Sequence, residues 1–121
     1  MPEPIAPHSA LCAYHDKDGR CRGMAGSVVI HAARRGQFFA TRASARQIIS
    51  EEIDTLSQRE AVILDWAGVQ AVTGAFAAEM AKWYLSTARR VASTAMNDEV
   101  RETYETACRR ESAAREGAHD G

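Results

Sequence analysis

The spacing of apolar positions along this chain changes several times, and each change marks an element. Residues 60 to 66, EAVILDW, form a short apolar run between polar turns, which predicts a strand buried on both faces in the middle of a sheet. SVVIHAA (27 to 33), with its β-branched pair, predicts another strand, and GQFFA (36 to 40) a further one after an Arg-Arg-Gly turn. From Thr41 the period lengthens: Ala45, Ile48, Ile49, Ile53 and Leu56 lie at offsets 3, 4, 8 and 11 from the first of them, on one face of a helix. Thr73 is placed to cap a second helix running to about Thr87, with Phe76, Ala77, Met80, Ala81 and Tyr84 on its apolar stripe. RRVASTAM (89 to 96) predicts a weak strand, and Asn97 a cap for a third helix whose inner face is Val100, Tyr104, Ala107 and Cys108.

The ends carry no such periodicity. Residues 1 to 9 hold all three prolines, and the two stretches around Asp18-Gly19 can pair as a hairpin, so residues 1–25 are expected to be an N-terminal arm or hairpin. Residues 26–110 form the folded domain, and 111–121 a polar tail expected to fray. Strands alternating with helices of this length imply an α/β sandwich in which crossover helices cover one face of a mixed sheet.

Composition narrows the function classes. A chain of 121 residues is large enough for one core without disulfides or metal. With 26% charged residues and a formal net charge of -1, it offers no broad electrostatic grip on nucleic acid. No apolar run approaches the roughly 18 to 20 residues that cross a bilayer, and no charged-then-apolar leader opens the chain, so no membrane contact and a cytoplasmic location are expected. Cys12, Cys21 and Cys108 are then expected to be reduced thiols. His8, Cys12, His15 and Cys21 are zinc-binding residue types, but their H-x3-C-x2-H-x5-C spacing matches no standard finger, and neither metal nor cofactor is expected.

Motifs for catalysis are absent: there is no glycine-rich phosphate cradle, nucleophile elbow, H-E-x-x-H pair or dinucleotide fingerprint. A Cys108–His31 dyad has no sequence feature behind it. The expectation is therefore a protein that is not an enzyme. Asp65, at the end of its strand, is expected to accept from helix-start amides or to pair with an arginine, Arg42 and Arg46 being the natural candidates; both a structural role and a ligand contact stay open. Trp66 is expected to pack within the sheet, whereas Trp83, off its helix's apolar stripe, is an interface candidate.

Four pieces of the chain, TRASAR (41 to 46), VILDWAGV (62 to 69), GAFAAEM (74 to 80) and MNDEV (96 to 100), occur in the order and at the gaps of a known pattern. On these pieces residues 36 to 108, about three-fifths of the chain, resemble the STAS-like domain family of unknown function, a divergent relative of sulfate-transporter and anti-sigma-factor-antagonist domains. The resemblance implies a STAS-like sandwich, a mixed β-sheet of about four strands covered mainly on one face by three helices. In the antagonists a serine at the start of the second helix is phosphorylated by a partner kinase; the matching position here is Gly74, preceded by Thr73 where the antagonists carry aspartate. Phosphate at a helix start adds roughly -1.5 to -2 of charge to a binding surface. Without that serine the module would bind constitutively, take phosphate on Thr73, or be switched by its partner.

The resemblance implies a partner-binding surface formed by Val72, Thr73, Gly74 and Ala75 with the bend before them and Arg42 and Arg46 of the first helix. It implies a protein partner of the anti-sigma-factor or histidine-kinase-like ATPase type. Two alternatives remain: a nucleotide- or anion-binding sensor with the Thr73 helix start as phosphate seat and Arg42 or Arg46 as clamp, and a structural subunit, such as a homodimer through sheet edges.

Overall fold

The structure is a computed structural model and describes residues 14–15, 21–23 and 26–120. Its backbone is α/β. Three parallel strands, β3 (Val28–His31), β5 (Val62–Asp65) and β7 (Val91–Thr94), lie with β5 in the middle and His31, Asp65 and Thr94 in one row. On the other side of β3, β2 (Cys21–Arg22) pairs antiparallel, followed by β1 (Tyr14–His15), which makes the sheet mixed and five-stranded in the order β1-β2-β3-β5-β7. Tyr14 pairs with Arg22 and His15 with Cys21, the pairing expected of a hairpin, although its turn lies outside the described residues. The segment 21–22 thus joins the domain's sheet, upstream of the boundary expected at residue 26.

GQFFA does not enter this sheet. The chain leaves β3 through a 3-10 turn, Ala32–Arg34, and β4 (Phe38–Phe39) pairs instead with β6 (Ala71–Val72) in a separate parallel ladder. Phe39 is drawn into the core, where its ring stacks on Phe76 at 5.0 Å, and that burial holds the small ladder beside the start of the second helix.

Three helices cover one face. Helix α1 (Arg42–Ile48) starts at Thr41, whose hydroxyl accepts from the Ser44 amide, and runs on through a π turn, Ile49–Ile53. Helix α2 (Gly74–Ser86) packs against both α1 and α3 (Asp98–Asp120). The core takes Val28, Ile30, Val62 and Leu64 from the sheet, and Ile48, Ile53, Phe76, Met80 and Val100 from the helices. Because side chains alternate along a strand, Val29, His31, Ile63 and Asp65 fall on the opposite face. Trp66 packs in the core edge-on to Phe76, as its position beside the central strand predicts.

The second and third helices differ from expectation at two points. Tyr84, read as part of the buried stripe, is 40% exposed and instead sets its ring edge-on to Tyr104. Helix α3 continues to Asp120, past the point at which polar composition predicts an end. Alanine, glutamate and arginine are good helix formers, and Arg115 donates to the Lys82 carbonyl near the end of α2 at 3.2 Å, which anchors the extra turns.

The bend between β5 and α2 depends on one glycine. Gly68 has φ +89°, and a Cβ there would meet the Ala33 Cβ at 3.0 Å. Asn97 supports the same bend: its amide donates to the carbonyls of Val69 and Gln70 while its side-chain oxygen accepts from the Val100 amide at 2.7 Å and caps α3. Gly68→Ala is expected to lower unfolding free energy by about 1 to 3 kcal/mol, from left-handed strain plus the close contact, measured by urea denaturation; an unchanged midpoint would refute the role given to this glycine.

Candidate functional site

Two places in the fold carry chemistry: the start of α2 and the carboxyl ends of β3 and β5. At the first, Thr73 caps the helix, its hydroxyl accepting from the Phe76 amide at 3.2 Å and donating to the Ala40 carbonyl at 2.7 Å. The hydroxyl is thus engaged in both directions. Gly74 and Ala75 are exposed, and a Cβ added at Gly74 would meet nothing within 4 Å. Beside them a groove of about 410 Å³ runs between α2 and α3, lined by Gly74, Ala78, Thr103, Thr106, Ala107 and Arg110 among others. Val72 is turned into the core and contributes only backbone to this surface.

Arg42 and Arg46 do not reach Asp65. Both guanidinium groups meet Glu79 of α2, at 3.3 and 3.5 Å, as one exposed cluster joining α1 to α2. Such exposed pairs contribute at most about 1 kcal/mol each. Trp83, read as an interface candidate, is partly buried against the core instead.

Asp65 has a different partner. Its Oδ2 lies 2.8 Å from His31 Nδ1, and its Oδ1 accepts from the Ala67 amide at 3.0 Å. The other ring nitrogen of His31, Nε2, lies 3.2 Å from the Cys21 sulfur, and Arg34 Nη2 approaches that sulfur at 4.0 Å. All three residues of the chain are buried, Cys21 to 2%, His31 to 8% and Asp65 to 1% exposure.

The sheet register builds this arrangement. His31 and Asp65 are direct partners at the carboxyl ends of adjacent parallel strands, and Cys21 pairs with Val29, two residues before His31 and therefore on the same face. Ligands of open α/β sheets bind outside this end of the strands. An ionised carboxylate only accepts, so with Asp65 ionised Nδ1 would donate to it, and Nε2 is the ring nitrogen that faces the sulfur. A sulfur, a base and a group that orients the base, each in hydrogen-bond reach of the next, is the general arrangement of an activated nucleophile.

Cys108, whose pairing with His31 has no sequence feature behind it, is not the partner of that histidine. Cys108 lies on α3 beside Tyr104, and its thiol is pushed up, by burial first and by Glu105 second, against a lowering hydrogen bond from Tyr104. A raised thiol is a poor nucleophile. The signal available in the sequence was the pair of polar residues ending two apolar runs, His31 and Asp65, which only a parallel register joins. Of the four zinc-type residues, His8 and Cys12 lie outside the described residues, and among the described residues no group of three His, Cys, Asp or Glu is placed to hold a metal.

Two predictions follow from these surroundings. Asp65→Ala strips the His31 ring and the Ala67 amide of their common acceptor and is expected to cost about 2 to 4 kcal/mol in chemical denaturation; a loss below about 0.5 kcal/mol would mean that the carboxylate does not organise this region. Tyr104 is held neutral by burial, with Cys108 adding to the effect, so its folded pKa lies above its unfolded value near 10. The folded state then retains protons that the unfolded chain loses, and this contribution is intact below about pH 10 and declines as pH rises above it. Tyr104→Phe is expected to flatten the alkaline fall of the melting temperature, and equal slopes for both proteins would contradict it.

Neither a family model, nor a curated protein, nor a solved structure matches this chain.

Proposed function

We propose that this chain is a non-enzymatic, cytoplasmic regulatory module that acts by binding another protein through the start of α2. The reading rests on the resemblance to anti-sigma-factor antagonists, and one observation carries it: the position that holds their phosphorylatable serine is an exposed glycine with open space around it. Gly74 and Ala75 let a partner backbone approach closely, and the groove between α2 and α3 continues that surface. The partner suggested by the resemblance is an anti-sigma factor or a histidine-kinase-like ATPase.

Phosphate on Thr73 would break both the cap to Phe76 and the bond to the Ala40 carbonyl. Constitutive binding, or a switch supplied by the partner, therefore fits the helix start better than phosphorylation of Thr73. The anion-sensor alternative is weaker, because the two arginines proposed as a clamp are committed to Glu79. No helix among the described residues is long and apolar enough to cross a membrane. A homodimer could use β7, one of the two terminal strands of the sheet among the described residues, as its edge.

Affinity capture of the tagged chain from its source cells, with and without ATP, is expected to return one stoichiometric partner. Gly74→Glu should abolish that complex, at least a hundredfold in Kd, while circular dichroism and melting temperature stay unchanged. Undiminished binding by the folded variant would remove this surface from the proposal, and a chain recovered alone would remove the partner.

A further inference from the structure

The buried row Cys21, His31, Asp65 is not used by a binding surface at α2, and the inference drawn from it stands independently of that reading. Among the described residues, two charged groups lie beside the contact between Cys21 and His31. The Asp65 carboxylate, 2.8 Å from Nδ1, favours a doubly protonated imidazolium, and the Arg34 guanidinium, 4.0 Å from the sulfur, favours a thiolate. Both would favour a proton on Nε2 over one on the sulfur across the 3.2 Å contact. Burial opposes an isolated thiolate. Here the transfer leaves the net charge of the four groups at zero, because thiolate and carboxylate are matched by imidazolium and guanidinium. Arg22, next in the chain to Cys21, forms a bidentate pair with Glu60 at 2.9 and 3.1 Å.

We propose that Cys21 is held as a thiolate by His31 and is a site of oxidation by a hydroperoxide, with Asp65 and Arg34 as positioning residues. In the step, the thiolate sulfur attacks one peroxide oxygen and the O–O bond breaks. Sulfur is oxidised by two electrons to a sulfenic acid, and the departing hydroxide takes the proton of the His31 imidazolium and leaves as water. Hydrogen peroxide is the reagent whose size suits the buried sulfur. Among the described residues β2 spans two residues, paired with β1 on one side and β3 on the other, and a local opening of this short hairpin would admit it.

The test uses the full chain carrying Cys12→Ser and Cys108→Ser, so that one thiol remains. Thiolate absorbance against pH is expected to rise with a midpoint at least about one unit below the ordinary 8.5, a tenfold larger thiolate fraction than an ordinary cysteine has near neutral pH. Hydrogen peroxide should add one oxygen to Cys21, trapped by a sulfenic-acid reagent and located by mass spectrometry, at a rate that follows the same titration. Arg34→Gln, at an exposed position, should raise the midpoint and slow oxidation while the protein stays folded. A midpoint not displaced by that unit overturns the proposal. So does a folded protein whose Cys21 resists peroxide that oxidises the urea-unfolded chain.

Discussion

The position of β5 between β3 and β7 is the constraint on which the rest of the structure depends. Its side chains are committed on both faces: Val62 and Leu64 meet the helices, while Ile63 and Asp65 point to the other side. In a parallel ladder a shift of one residue exchanges these faces, which would drive the Asp65 carboxylate into the apolar core and leave His31 facing leucine. The hydrophobic pattern therefore fixes the register, and the register in turn sets His31 against Asp65. A buried imidazole and a buried carboxylate are each costly alone, and become tolerable because the same alignment that packs the core pairs them.

From Asp65 the chain passes through one rigid bend into the start of α2. Asp65 accepts from the Ala67 amide, Trp66 enters the core, Gly68 supplies the left-handed turn and Asn97 holds the next two carbonyls. Among the described residues Trp66 Nε1 finds no hydrogen-bond partner, a cost of about 1 to 3 kcal/mol. The burial of the indole ring against Phe76 offsets a penalty of that size. The buried row of polar residues and the exposed helix start are thus the two ends of one well-supported segment, eight residues apart in the chain.

The two described cysteines show how environment separates identical side chains. Cys108 sits against Tyr104 in surroundings that favour its neutral thiol. Cys21 sits between an imidazole braced by a carboxylate and an arginine. Nothing local to either residue distinguishes them; the difference arises from what the sheet and α3 bring alongside.

Much of the architecture was legible in the chain because it rests on local periodicity and local caps. The run EAVILDW marked the central strand, the spacing from Ala45 to Leu56 marked the first helix, and Thr73 and Asn97 marked helix starts by a side-chain oxygen that reaches an amide three residues on. Long-range pairing was not legible. Phe38–Phe39 leaving the main sheet for Ala71–Val72, Arg42 and Arg46 choosing Glu79, and α3 continuing along the end of α2 all depend on contacts between segments far apart in sequence. The same holds for the Cys21, His31 and Asp65 row. Each of these residues stands out in its own segment for a different reason, and strand register, a property of the assembled sheet, alone decided that they meet.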